Sequence, residues 1–524
     1  MRLMNNTVKK YRRFLLLLGM LCGIVFSCLW LAISLLVTQP WKDNSSILVK
    51  KEYEESKEGP LTFVIKPLEE VRPISPLIYG SNLTAKTEFE MDVAKFGQDT
   101  GITIFRFPGG GALGYRWMQG KFDFDERYDN APLANIENAI KFSQIVGANL
   151  MFHVNLESGT PEEAAAWVRI MIARGVRVTY WELGNEPYGN WERDFMAPEA
   201  YVKVIKQYSE AMKAVDPSIK IGVAFGGPNY VFFDEMLVKE AADHFDFVSY
   251  HWYPNHTNTD HREQGAKHPI AEVVMANSLN VGPLVKRVDD IVKRYAPHRK
   301  GHIEVAFLEW DGSWDAVPSD LNKKSKGIMW SLANAIFYAD TLAQFAVQGV
   351  SLSTQFDFQE VMFGLIDGWD KDAGWGGSRW DGRTIRPKAL ALKMFARYFG
   401  DVVVASDLKD SPHYVKNADL RADSYVGKVP YVSGYASIFK GKKKLAFVLI
   451  NRHPEKNFSV KVIIKDVTPA SVGRLWIING PNLEAQNDGA PDTVTMKNYS
   501  IRKVEQSFDY KVPAHSVNMF QIDY

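Results

Sequence analysis

Cysteine is almost missing from this chain: Cys22 and Cys28 are the only two, and both fall in one apolar N-terminal run. Everything beyond that run can form no disulfide, ligate no metal through thiolate and use no thiol nucleophile, so its stability must come from packing. An excess of either charge is also missing. The 62 basic and 61 acidic side chains leave a net charge of +1, which implies no polyanion partner. A nucleic-acid binder needs a concentrated basic face, whereas the one dense cationic cluster, Lys9, Lys10, Arg12 and Arg13, leads into a hydrophobic run. No G-x-G-x-x-G follows the first strand pattern, which argues against a dinucleotide-binding open sheet. Gly109, Gly110 and Gly111 lack the Lys and Ser/Thr of a phosphate-binding loop and read as a tight turn.

What is present begins at residues 14–37, which carry no charge and exceed the ~20 residues a helix needs to cross a hydrocarbon core. The basic segment 1–13 favours the cytoplasmic side, so the expected protein is a single-pass cell-membrane protein with all later residues on the extracytoplasmic side. A cleaved signal peptide is the rival reading, but the run is longer than an ordinary signal core and no A-x-A-like site follows. A lipoprotein reading at Cys28 is disfavoured by the bulky Phe26 and by the apolar run continuing past the cysteine. Residues 38–60 are polar and mixed in charge, too poor in apolar side chains to pack, and read as a stalk. Residues 61–72 form an isolated strand pattern expected to join a distant sheet.

From residue 73 to 399 short β-rich runs alternate with helical stretches, the pattern of a parallel β/α architecture. The runs are 77–83, 102–107, 149–155, 178–185, 220–226, 247–253, 303–310 and 350–356. Eight of them predict closure into an α/β (β/α)8 TIM barrel, with active residues at the strands' C-terminal ends. Those ends carry Ser81, Asn82, Arg106, His153, Asn155, Asn185, Glu186, His251, Tyr253, Glu309 and Gln355. After Phe399 short β-rich runs at 444–450, 460–464 and 474–478, separated by Asn, Gly, Pro and Asp, predict a β-sandwich domain over 400–524.

Two acidic positions stand out. WELGNEP at 181–187 places Glu186 at the end of the fourth run, and FLEW at 307–310 ends the seventh run on Glu309. An unpaired carboxylate at the end of a buried strand is costly, so function or a charged partner is expected at each. Carboxylates from strands four and seven can face each other across a barrel mouth, one as acid/base and one as nucleophile at a sugar carbon. At roughly 5–5.5 Å apart they would leave no room for an intervening water, which predicts retention through a glycosyl-enzyme.

These motifs resemble glycoside hydrolase clan A, and within it the α-L-arabinofuranosidase family. The resemblance runs through ISPLIYG at 74–80, FRFPGG at 105–110, VNLESGTPEEAAAW at 154–167 and WELGNEP at 181–187, and resumes at VPAHSV, 512–517. It implies that Glu186 is the acid/base and Glu309 the nucleophile, acting on a polysaccharide or oligosaccharide with no cofactor and no metal. It also implies that Arg106 sits beside Glu309 and helps keep it ionised, that Asn185 bonds the sugar 2-hydroxyl, and that Tyr253 bonds Glu309. His251, Gln355 and Trp310 would line the substrate site. Two positions depart from the family. Thr84 stands where a sugar-binding Glu is usual after Tyr79 and Gly80, and Gly111 stands where an Asn is usual. Both remove hydrogen-bonding groups from the sugar pocket, so discrimination between sugars is expected to differ.

Trp181, Trp191, Trp252, Trp310, Trp314, Trp369, Trp375 and Trp380 lie near strand ends or in following loops and are expected to divide between core and glycan cleft. His251, His256 and His261 share a loop, but their spacing fits no zinc motif. Two alternatives remain open at this level: an endo-acting glycanase on an envelope or exopolymer glycan, which membrane tethering would suit, and a non-catalytic glycan-binding barrel.

Overall fold

The computed structural model describes residues 60–111, 114–126, 129, 131–255, 269–314, 327–368, 383–416 and 422–524. The expected membrane span with Cys22 and Cys28, the stalk up to residue 59, His256, His261, Trp369, Trp375 and Trp380 lie outside them. Among the described residues no helix is long and apolar enough to cross a membrane.

The chain enters through a long strand, β1 (Leu61–Pro73), and then builds the barrel. Its strands are β2 (Gly80–Asn82), β3 (Ile104–Phe107), β6 (Asn149–Val154), β7 (Tyr180–Leu183), β8 (Lys220–Phe225), β9 (Phe247–Trp252), β10 (Glu304–Trp310) and β11 (Leu352–Gln355). A small hairpin, β4 (Tyr115–Arg116) and β5 (Lys121–Phe122), is inserted after β3. The eight parallel strands close in the order β10-β11-β2-β3-β6-β7-β8-β9. Alternation explains the residue choice. Ile104, Met151, Tyr180, Phe247, Ala306, Leu308 and Leu352 fill the interior, while Phe105, Phe152, Trp181, Val223, Tyr250 and Phe307 pack outward against helices. Gly222 is required on the inner face, because a Cβ there would lie 2.0 Å from the Phe247 ring.

Helix starts follow capping chemistry. Thr160 accepts a hydrogen bond from the Glu163 amide and Pro161 takes the first turn of helix Pro161–Ala173, whose buried face puts Trp167 against Phe152 and Trp181. Helix Leu332–Gln348 is buried on nearly every side, because it lies between the barrel wall and the C-terminal sheet. Its one acidic residue, Asp340, is paired with Arg452 at 2.6 Å and bonded by Tyr435, both from that sheet.

The C-terminal strands are β12 (Val402–Lys409), β13 (His413–Lys416), β14 (Gly427–Pro430), β15 (Val432–Phe439), β16 (Lys444–Asn451), β17 (Phe458–Ile464), β18 (Val472–Asn479), β19 (Thr495–Arg502), β20 (Ser507–Val512) and β21 (Ser516–Asp523). The two separate sheets of the expected sandwich are replaced by one nine-stranded sheet, β19-β18-β21-β16-β15-β12-β1-β17-β20, with β13 and β14 as a separate hairpin. The packing is still sandwich-like, since the sheet curls until Phe63 of β1 meets Phe447 of β16 and Phe447 stacks on Phe520 of β21. β1 enters this sheet antiparallel to β12 and parallel to β17. β16 reads as an unbroken apolar run because both its faces are covered: Leu445, Phe447 and Leu449 face the curl, and Val448 and Ile450 join the barrel-side core.

Candidate active site

The site is assembled at the C-terminal mouth of the barrel. Along β7, Tyr180 and Glu182 face inward while Trp181 and Leu183 join the outer core. The chain then turns through Gly184, with φ of 75°, and Glu186, with φ of 48°. A Cβ on Gly184 would lie 2.6 Å from the Asp194 carboxylate, so the turn needs glycine for both conformation and space. On β10 the ladder to β9 slips by one residue. Phe307 pairs with Tyr250 and Glu309 with His251, leaving Leu308 as an extra residue. This bulge lets Leu308 and Glu309 both reach the barrel interior and mouth.

Arg106, fully buried on β3, is the hub. Its Nη1 donates to Glu309 Oε1 at 2.8 Å and to Asn82 Oδ1 at 2.9 Å, its Nε to Glu182 Oε2 at 2.6 Å, and its Nη2 to Asn185 Oδ1 at 2.9 Å. Glu182 also accepts from Ser249 Oγ at 2.5 Å. Burial opposes charge on Glu182, but the charge of Arg106 and the bond and charge of His251 outweigh it and hold the carboxyl well below the usual range. His153, buried beside the guanidinium, is driven down to about 3 by burial and by Arg106, and is neutral.

Glu309 also accepts from Tyr253 Oη at 3.2 Å. Glu186 meets His251 Nδ1 through Oε1 at 3.1 Å and accepts from Trp191 Nε1 through Oε2 at 2.5 Å. Burial alone would discharge His251, yet Glu309, Glu182 and Glu186 push it up to about 10, so it is a cation at neutral pH. Burial likewise favours neutral Glu186, but the bonds from His251 and Trp191, with the charge of Arg106, hold it below its ordinary value. A carboxylate oxygen of Glu186, one of Glu309 and a ring nitrogen of His251 lie within 4.8 Å of one another and could hold a divalent ion. The same carboxylates are already compensated by Arg106 and protonated His251, and the ring would have to lose its proton before ligating.

The structure therefore brings Glu186, Glu309, Arg106, Asn185, His251 and Tyr253 together, and it removes two of the residues expected to line the site. Gln355 faces outward. It accepts from Tyr338 Oη at 3.0 Å and donates to Ser81 Oγ and the Asp357 carbonyl at 2.6 and 2.8 Å, which commits the amide to the barrel wall. Trp310 is fully buried, 4.4 Å from the Tyr338 ring and bonded through Nε1 to Ser353 Oγ, because the β10 bulge that aims Glu309 inward turns the next residue outward. Trp181 and Trp252 are core as well, whereas Trp191 and Trp314 are 59% and 43% exposed.

Sequence reasoning passed over Glu182 and Glu192, and it placed Asn82 at a strand end and Trp191 among the candidate cleft tryptophans without a role for either at the carboxylates. The in-facing parity of Glu182 with Tyr180 was a readable signal. The contact of Trp191 with Glu186 depends on the path of the loop after β7, which no periodicity encodes.

A closed parallel barrel whose fourth and seventh strands deliver two carboxylates around a buried arginine is the arrangement that glycoside hydrolysis by a carboxylate pair requires. Residues 384–516 match the α-L-arabinofuranosidase C-terminal domain family. A probable α-L-arabinofuranosidase C of Aspergillus terreus is 22% identical over 494 residues, covering 84% of this chain and 90% of that protein. The α-L-arabinofuranosidase of Thermotoga maritima, solved with arabinose, superposes with a TM-score of 0.73 at 21% identity, covering 88% of this chain and 100% of that one. The family 51 enzyme of Thermotoga petrophila gives a TM-score of 0.72 at 20% identity with the same coverage. The chain is thus similar along most of its length to α-L-arabinofuranosidases, one of family 51 among them.

Proposed function

We propose that this chain hydrolyses α-L-arabinofuranosides of an arabinose-containing glycan by double displacement, with Glu309 as nucleophile and Glu186 as acid/base. The observation that carries the reading is the placement of nearest Glu186 and Glu309 oxygens within 4.8 Å. That is close to the ~5–5.5 Å of retaining pairs and short of the ~6.5–9.5 Å that admits a water in inverting ones. Arg106 and Tyr253 hold one Glu309 oxygen each, which fixes the carboxylate plane for attack on the anomeric carbon.

In the first step the C1–O bond breaks as a Glu309 oxygen bonds C1 and a proton from Glu186 reaches the departing oxygen. The free site stores that proton on the His251–Glu186 pair, across 3.1 Å. In the second step Glu186, now a carboxylate, takes a proton from water as the water oxygen bonds C1 and Glu309 leaves.

The test separates the two glutamates. Glu186→Ala should still form the glycosyl-enzyme from aryl arabinofuranosides with good leaving groups and then stall, with azide restoring turnover to a glycosyl azide of retained configuration. Loss on poor leaving groups should be ~10²–10⁴-fold. Azide rescue of Glu309→Ala should give the inverted anomer. Unimpaired hydrolysis of both substrate classes by Glu186→Ala would overturn the assignment.

We also propose that the enzyme is tethered on the extracytoplasmic side, supported by the uncharged run at 14–37 behind a basic cluster. Protease accessibility of the barrel from the cytoplasmic side would overturn that reading.

A further inference from the structure

The turn that follows the acid/base glutamate contains a third carboxyl group that the double displacement does not use. Glu192 reaches back to the residue preceding Glu186, and its Oε1 accepts from Asn185 Nδ2 at 3.1 Å. The opposite end of the same amide is held by Arg106, whose Nη2 donates to Asn185 Oδ1 at 2.9 Å. The backbone of Asn185 is tied to this turn as well, since its amide donates to Asp194 Oδ2 at 2.9 Å. Among the described residues the amide nitrogen of Asn185 makes one hydrogen bond, to Glu192, so its second N–H is left for a sugar oxygen.

We propose that Glu192 is a positioning residue for the glycosidic reaction: gripping the Asn185 amide from the side opposite Arg106, it fixes the amide plane and aims the remaining N–H at the sugar 2-hydroxyl. This rests on the reading that Asn185 contacts that hydroxyl. A single bond at Oδ1 leaves the amide free to swing about it, whereas bonds at both ends fix its orientation before substrate arrives, which is where a hydrogen bond that strengthens in the transition state is most effective. Burial, with the charges of Glu186 and Glu309, pushes the Glu192 carboxyl up to about 8. At neutral pH it therefore accepts from Asn185 without adding a further negative charge beside the catalytic pair, and glutamine is its faithful substitute.

The experiment compares 4-nitrophenyl α-L-arabinofuranoside with its 2-deoxy counterpart, each variant being scored relative to the unmutated enzyme on the same substrate. Glu192→Ala should lower kcat about tenfold on the 2-hydroxy substrate, the scale of one lost hydrogen bond, and leave the 2-deoxy substrate within about twofold. Glu192→Gln, which keeps the acceptor oxygen, should restore kcat on the 2-hydroxy substrate. Equal losses on both substrates, or no loss on either, would overturn the proposal. Asn185→Ala separates the two readings. If it discriminates between the substrates and Glu192→Ala does not, Glu192 is no positioning residue; if Asn185→Ala shows no discrimination, the Asn185 contact itself is wrong and the proposal falls with it.

Discussion

Glu309 stands opposite His251, one residue short of the Trp252 that an unbroken ladder from Phe307 and Tyr250 would give it. That slip decides which side chain of FLEW reaches the mouth. With strict alternation from Phe307, which packs outward, Glu309 would point into the helical layer and Trp310 into the barrel. Deleting Leu308 removes the extra residue. The variant should unfold at lower temperature, because the barrel interior loses the Leu308 side chain, yet keep hydrolysis, because Glu309 then follows the outward Phe307 directly and alternation alone turns it inward opposite His251. A Leu308 deletion that folds but has lost hydrolysis would show that ladder register alone does not aim Glu309.

Glu182 is the second anion of Arg106 and is fully buried. Glu182→Gln leaves the guanidinium undercompensated and should cost about 3–5 kcal/mol in chemical denaturation. The pH dependence has a definite sign. A carboxyl held below its ordinary value in the folded state contributes stability above its unfolded pKa and loses it as pH falls toward the folded one. The unmutated protein should therefore lose more stability than Glu182→Gln between neutral and acid pH; parallel curves for the two would contradict this.

Trp191 donates to the Glu186 carboxylate and so favours its ionised form. Trp191→Phe keeps an aromatic face but drops the donor, which raises the pKa of the acid. In its proposed role as acid, Glu186 must be protonated to assist the leaving group, so the basic limb of kcat/KM should move to higher pH, more visibly with poor leaving groups. A limb that stays in place or moves to lower pH would argue against this contact in the working enzyme.

A chain beginning at Gly59 should fold and retain full turnover on a soluble aryl arabinofuranoside, because the barrel and its sheet are complete from Leu61 onward. A chain beginning at Pro73 should aggregate. It strips Phe63 and Ile65 from the sheet core and leaves β12 and β17 with unpaired edges in mid-sheet. Equal solubility of the two truncations would show that β1 is dispensable.

The sequence was most informative where a physical period repeats. Each of the eight β-rich runs contains a barrel strand, and Glu186 and Glu309 were legible because acidic residues terminate apolar runs there. It was least informative about side-chain direction at strand ends. Gln355 and Trp310 look like mouth residues by position, and both point into the wall. The C-terminal strands were visible one by one, but whether they make two sheets or one curled sheet depends on which edges meet, and alternation is the same in both cases.

The sequence by itself determined the barrel, the identity of its two carboxylates and the lack of any thiol chemistry in the part beyond residue 37, because strand period, strand count and composition are local or additive properties. The tertiary structure alone decided how those carboxylates are charged and aimed. Arg106, Glu182, His251 and Trp191 come from different strands and loops, and their ion pairs exist only once the barrel has closed and excluded water around them. The bulge at Leu308 is likewise a property of two paired strands, since a one-residue slip has no signature until a neighbour supplies the register.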